Sequence, residues 1–184
     1  MPMNQSASQR GVGMAGESLW ARVEALHQES FGWARSCCRQ DPEEAENVLQ
    51  AVYLKIFEGK AVFDDRATFR TWLFAVIRNT AAEGRRRRFF QRLRLARQQE
   101  TEPAPAQPQS PERAAYLGEI RTAFRSLVAG LPRRQSEVLQ LVFYHDLSLS
   151  EAATVMAVSL GSARTHYQRG KRRLSKAMAA AGVR

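Results

Sequence analysis

The sequence predicts an all-α protein made of two small helical domains joined by a proline-rich linker. Three observations carry this. Apolar residues recur at three-and-four spacing in several segments, and nowhere do they alternate as in a strand. Four of the seven prolines fall in residues 99–112 (QETEPAPAQPQSPE), which hold almost no large apolar residue. Such a stretch spaces two packed units rather than joining a core. Finally, LPRRQSEVLQLVFYHDLSLSEAATVMAVSLGSARTHYQRGKRRL (131–174) reads as a helix, a short helix, a tight turn and a last helix rich in Arg and Lys. That is the pattern of a helix-turn-helix.

The expected boundaries are a loose polar tail over 1–16, a first domain over 17–98, a linker over 99–111 and a second domain over 112–184. Three helical segments fill the first domain. One starts at Ser18 and lays Leu19, Val23 and Leu26 on one stripe. A second begins at Asp41-Pro42-Glu43, where Asp caps, Pro fits the first turn and acids favour the positive end of the dipole. Its apolar positions are Val48, Val52 and Phe57, flanked by Leu49 and Ile56, and Gly59 ends it. The third is the most regular, with Phe69, Trp72, Leu73, Val76, Ile77 and Thr80 on a core stripe. Trp72 therefore reads as a packing residue, despite the appeal of an aromatic wedge near DNA. In the second domain, Ser110-Pro111-Glu112 caps a helix running to about Ala129, and Leu131-Pro132 opens the next.

The helix-turn-helix can be read residue by residue. Ser148 or Ser150 caps its short helix, with Glu151 in the first turn. Ser159 caps the last helix, whose inward stripe is Ala163, Tyr167, Gly170 and Leu174. The opposite face carries Thr165, Arg169 and Arg172, flanked by Arg164 and Gln168, with Ser162 at its start. Arg suits guanine, Gln suits adenine, and Thr suits either a polar edge or a thymine methyl. Lys171 lies farther along and suits phosphate, as do Arg133 and Arg134 at a helix start.

Charge points the same way. The chain of 184 residues holds 28 Lys+Arg against 18 Asp+Glu, a formal net charge of +10. A polyanionic partner follows. Residues 78–97 hold eight Arg and residues 164–176 hold six basic residues, half of the 28 in two short windows. Two separate contacts are implied. Residues 41–58 are acidic instead, which suits a protein partner. No apolar run of about 18 residues exists to span a membrane. The N-terminus lacks the apolar core of a secretory signal. Cys37 and Cys38 are adjacent, poorly placed to bridge each other, and belong to a reducing, cytoplasmic setting. No metal-ligand spacing, cofactor motif or catalytic constellation is present; His27, His145 and His166 are scattered.

At this point the two halves together resemble the extracytoplasmic-function (ECF) sigma factors, compact bacterial transcription initiation factors of the sigma-70 family. EAENVLQAVYLKIF resembles their polymerase-binding helix. FRTWLFAVIRNTAAEGRRRR resembles the helix that opens and reads the minus-ten element, and the stretch from Leu131 to Leu174 resembles the minus-thirty-five reader. The resemblance implies binding to core RNA polymerase and promoter DNA, no enzymatic activity of its own, and control by an anti-sigma protein. It implies polymerase contacts at Glu44, Glu46, Asn47, Gln50, Tyr53 and Lys55. It places Arg78, Asn79 and Arg85, Arg86, Arg87 and Arg88 beside melted DNA, and matches Lys60, Phe63 and Arg66 to a loop that cradles a flipped base. Its base-facing positions in the last helix fall on Arg164, Thr165, Gln168 and Arg169, the face found independently above.

Departures from the family pattern are Asn47 and Ala51 in place of acids, Ala157 in place of a turn glycine, and Ala163 in place of a larger aliphatic. Ala157 must keep a negative φ or carry slight strain. Rival readings are a sigma-like mimic that binds an anti-sigma protein, a helix-turn-helix repressor and an Arg-rich RNA-binding protein; an enzyme fits least.

Overall fold

The computed structural model describes residues 18–96, 127–128 and 130–180. Among these residues all regular structure is helical: α1 (Leu19–Ala25), α2 (His27–Cys37), α3 (Pro42–Phe57), α4 (Phe69–Ala96), α5 (Arg133–Phe143), α6 (Leu149–Met156) and α7 (Leu160–Ala180). The tail, the linker and most of the helix expected before Leu131 lie outside the described residues.

Local chemistry sets most helix ends. The Ser18 hydroxyl accepts from Ala21 N at 3.2 Å to start α1. Asp41 accepts from Glu44 N at 3.1 Å to start α3, with Pro42 in the first turn. Ser148, not Ser150, caps α6. Its hydroxyl accepts from Glu151 N at 3.2 Å while the Glu151 carboxylate accepts from Ser148 N at 2.9 Å. Two otherwise orphaned donors are thereby satisfied. Those hydrogen bonds from Ser148 hold the Glu151 carboxyl below the usual carboxylate range.

Three expectations need correction. The first helical segment is two helices, broken at Leu26. No capping side chain marks that break, so periodicity runs straight through it. Phe57, expected on the core stripe of its helix, is 76% exposed, and Ile56 takes the buried position.

Leu19, expected on the core stripe of the first segment, is likewise 40% exposed, and the remaining stripes build the core as their spacing demands. Val48, Val52 and Ile56 of α3 meet Leu73 and Ile77 of α4. Trp33 of α2 is fully buried, stacks on Phe74 at 5.9 Å and donates its indole N–H to the Phe74 carbonyl at 3.0 Å. Trp72 is half-buried, in an aromatic group with Phe63 and Phe69 at 5.5 and 5.2 Å. Its packing role stands. In the helix-turn-helix, Val138, Leu141, Ala152, Val155 and Met156 are buried. Gly170 lets α7 approach α5 closely: a Cβ there would sit 3.1 Å from Leu139 and 3.3 Å from the Gln135 carbonyl.

Most buried apolar residues of the two halves form one continuous cluster, while Val128, Leu139 and Leu174 form a second. α4 packs along α6, and α2 touches α5. His145, just after α5, sits edge-on to both Trp33 (5.8 Å) and Phe74 (4.8 Å) of the first half. Burial there, with the Arg70 charge nearby, pushes its imidazole down to about 4. Arg78 of α4 is 6% exposed because Glu137 of α5 covers it, and their side chains pair at 3.2 Å. The halves thus meet through a mixed apolar and ionic seam.

Candidate nucleic-acid and polymerase interfaces

The polar face expected on α7 is exposed as its spacing requires. Ala163, Gly170 and Leu174 are buried and Tyr167 is half-buried. Ser162, Arg164, Thr165, Gln168, Arg169, Lys171 and Arg172 are all exposed, with no ion pair among the described residues. The Ser159 hydroxyl accepts from Ser162 N at 3.1 Å, which fixes where α7 begins and so which residues stand in its first turn. The turn before it ends α6 on Ala157 in the left-handed region, φ 52° and ψ 52°. The Val158 N–H returns to the Ala153 carbonyl at 3.1 Å. The closed turn is kept and the alanine takes the strained alternative, a cost of about 1–2 kcal/mol relative to right-handed backbone. Arg133 and Arg134, half-exposed, both reach Glu137, at 2.8 and 3.4 Å. Arg134 also donates to the Met156 carbonyl at 3.1 Å, tying α5 to the end of α6.

The α4 residues divide into two groups. Asn79, Arg86 and Arg87 are exposed. Arg78 is held by Glu137, Arg85 donates to the Cys37 carbonyl at 2.8 Å, and Arg88 pairs with Glu44. In the loop before α4, Lys60 pairs with Glu58 at 2.7 Å and Arg66 with Asp64 at 3.1 Å, both largely exposed. Phe63 packs on Phe69 at 5.3 Å, with the Arg22 guanidinium 5.1 Å from its ring centre. Its ring is engaged rather than presented.

On α3, Glu46, Asn47 and Gln50 are exposed along one face. Three other candidates have intramolecular partners. Glu44 meets Arg88. The Tyr53 hydroxyl lies 2.8 Å from His27 Nδ1, and Lys55 reaches Glu83 at 2.6 Å and the Thr80 hydroxyl at 3.1 Å. Sequence reasoning missed the apolar continuation of this face. Leu54 is 55% exposed beside Phe57, whose ring lies 6.3 Å from that of Trp20. The signal was present in the spacing: 46, 50, 54 and 57 follow one another at four, four and three.

The family model for sigma-70 region 2 matches residues 22–89, and that for sigma-70 region 4 matches residues 121–174. The RNA polymerase sigma-H factor of Pseudomonas aeruginosa is 30% identical over 153 residues, covering 75% of each chain. The chain belongs to the sigma-70 family. More narrowly, it is an ECF sigma factor, a transcription initiation factor that directs RNA polymerase to promoters. The ECF RNA polymerase sigma factor SigX of Bacillus subtilis is 26% identical over 172 residues, covering 88% of this chain and 84% of its own. Two solved structures share the sigma factor's fold. RpoE in complex with the anti-sigma factor NepR from Bartonella quintana matches with a TM-score of 0.64 at 18% identity, covering 85% of this chain and 94% of that one. CnrH in complex with the cytosolic domain of CnrY matches at 0.58 and 22% identity, with 88% of each chain covered. Among the described residues of this sigma factor, no helix is long and apolar enough to cross a membrane.

Proposed function

We propose that the two halves read separate promoter elements, and that the arrangement seen here precedes promoter engagement. The exposed face of α7 from Arg164 to Arg172 reads the upstream minus-thirty-five element, with Arg133 and Arg134 on its phosphates. The basic surface of α4, from Arg78 and Asn79 through Arg85 to Arg88, holds the melted minus-ten element, with the loop Lys60, Phe63 and Arg66 beside it. Glu44, Glu46, Asn47, Gln50, Tyr53 and Lys55 of α3 meet the polymerase, with Leu54 and Phe57 extending that surface.

The observation that carries this reading is the Arg78–Glu137 pair. Both side chains are nearly solvent-free, and Arg78 cannot meet a DNA strand while Glu137 covers it. Promoter melting therefore requires α5 to leave α4. Two readers on one tether then impose a spacing requirement and gain avidity. The chain works in the cytoplasm, where the polymerase is, and contributes no catalytic group of its own. An anti-sigma protein is a further partner, by analogy with the two complexes whose fold it shares. The rival of a mimic that never touches DNA is disfavoured by the exposed Arg164, Arg169 and Lys171.

Reconstituted transcription with core polymerase tests the proposal. Promoter-specific initiation should appear with the chain and be lost with Arg164→Ala/Arg169→Ala. Initiation that survives that double change on every promoter tested removes α7 as the upstream reader. Failure to bind core at all would support the mimic.

A further inference from the structure

The seam between the halves holds a cleft of about 510 Å³. From α4 come Arg78, Arg85 and Arg86, with the rings of Phe89 and Phe90; from the first turn of α5 come Arg133 and Arg134. The carboxylate that reaches these groups is Glu137, and it already serves Arg78, Arg133 and Arg134. Five guanidiniums against one carboxylate leave an excess of four positive charges around this open cleft. α5 adds to the excess. It starts at Pro132 with no side-chain cap and no acid in its first turn, so its positive dipole end and two arginines reinforce one another. Arg85 is half-buried in this arrangement. Its Nη1 donates to Cys37 O at 2.8 Å, while its Nη2 is buried with no hydrogen-bond partner among the described residues. Phe89 and Phe90 stand edge to face at 5.8 Å, each more than half exposed.

We propose that this cleft is a binding site for a nucleoside polyphosphate. Guanidinium forks and the first turn of α5 hold the phosphates, and the base lies against Phe89 or Phe90. The volume suits a ligand of that size. The arginines come from two helices and line one open cleft instead of running in line along one helix. A compact polyphosphate meets them together, whereas a passing strand meets them one phosphate at a time. Because α4 and α5 both contribute, the ligand binds the closed arrangement alone. By linkage it must then weaken promoter binding by the same factor that DNA weakens its own. The site does not depend on which bases α4 or α7 reads.

Calorimetry on the full chain at about 150 mM salt, where exposed charges are screened, tests this with GTP, ATP, inorganic tripolyphosphate and a short oligothymidylate. One nucleoside triphosphate should bind with one-to-one stoichiometry, about tenfold tighter than tripolyphosphate. Phe89→Ala/Phe90→Ala should erase that difference, and both rings are exposed enough for the fold to tolerate the change. Arg86→Gln or Arg133→Gln should weaken triphosphate and tripolyphosphate alike, with circular dichroism confirming an intact fold. Equal affinity for triphosphate and tripolyphosphate would leave only a diffuse anion sink and overturn the proposal. Tighter binding of the oligonucleotide than of either triphosphate would make it a strand site instead. No saturation at about 1 mM, an affinity too weak to be specific, also overturns it. Weak or absent triphosphate binding would leave the promoter-reading proposal standing, because promoter-dependent transcription is measured separately.

Discussion

Arg169 and Arg78 carry the same charge and the same reach, and the structure gives them opposite circumstances. Arg169 stands free on α7. Arg169→Ala should cost about 1–3 kcal/mol on the cognate upstream element and relax preference at one position. Binding titrations over single-base variants check this, and a uniform loss on every sequence would reassign Arg169 to phosphate. Within the Arg85–Arg88 run, Arg86 and Arg87 are exposed, while Arg85 and Arg88 are committed to Cys37 and Glu44. Replacing Arg86 and Arg87 by Gln should therefore flatten the salt dependence of single-strand binding by roughly 0.7 units of slope for each lost phosphate contact. The same change at Arg85 and Arg88 should do less. Equal effects at all four would mean that the intramolecular pairs open freely. The cysteines are inert at this scale: burial raises both thiols, Cys38 to about 12, so neither is an exposed thiolate.

The short helix α6 shows how an element can be specified and strained together. Its start is over-determined by the reciprocal Ser148–Glu151 pair. Its end forces a left-handed backbone on Ala157. Glycine removes the Cβ clash there, worth about 1–2 kcal/mol, but adds entropy to the unfolded chain, worth about 0.4–1 kcal/mol. Ala157→Gly should stabilise the fold by roughly 0.5–1 kcal/mol, seen as a rise of about 1–4 °C in Tm. A fall in Tm would show that the alanine sits there without strain. The strain was legible beforehand, since a turn of this kind favours glycine and none is present. On α3 the warning was weaker. Phe57 fits the stripe of Val48 and Val52 as well as Ile56 does, and the packing of Ile56 settles which one is buried.

At the scale of the molecule, the seam between the halves is the feature most open to perturbation. His145 is buried against Trp33 and Phe74, with Arg70 and Asp146 as the neighbouring charges, and its imidazole is lowered to about 4. Between that value and the ordinary 6.5, the unfolded or opened chain binds the extra proton and the closed form does not. Stability of the seam is therefore intact above pH 6.5 and falls as pH drops towards 4, by about 3 kcal/mol in all. His145→Gln should flatten this dependence in acid unfolding curves; an unchanged slope would place the titrating group elsewhere. Glu137→Ala removes the carboxylate shared by Arg78, Arg133 and Arg134. Leaving such a buried charge unpaired costs about 3–5 kcal/mol. The economical response is for α5 to leave α4, so the radius of gyration by small-angle scattering should rise while helix content stays constant. A compact variant would mean that the apolar packing of α4 on α6 holds the halves without the ion pairs.

The sequence by itself determined most of the described helices, the caps at Asp41 and Ser159, the stripe that α7 buries and the basic face it presents. Each follows from local periodicity and local hydrogen bonding, which act over a few residues. The tertiary structure alone decided which charges are free. Arg78 lies off the stripe that α4 turns toward its own half, and 59 residues separate it from Glu137; no local pattern announces that pairing. The same holds for His145 between Trp33 and Phe74, and for Leu54 and Phe57 left bare beside Trp20. Burial and charge neutralisation depend on what packs across a seam, and that is a property of the assembled chain.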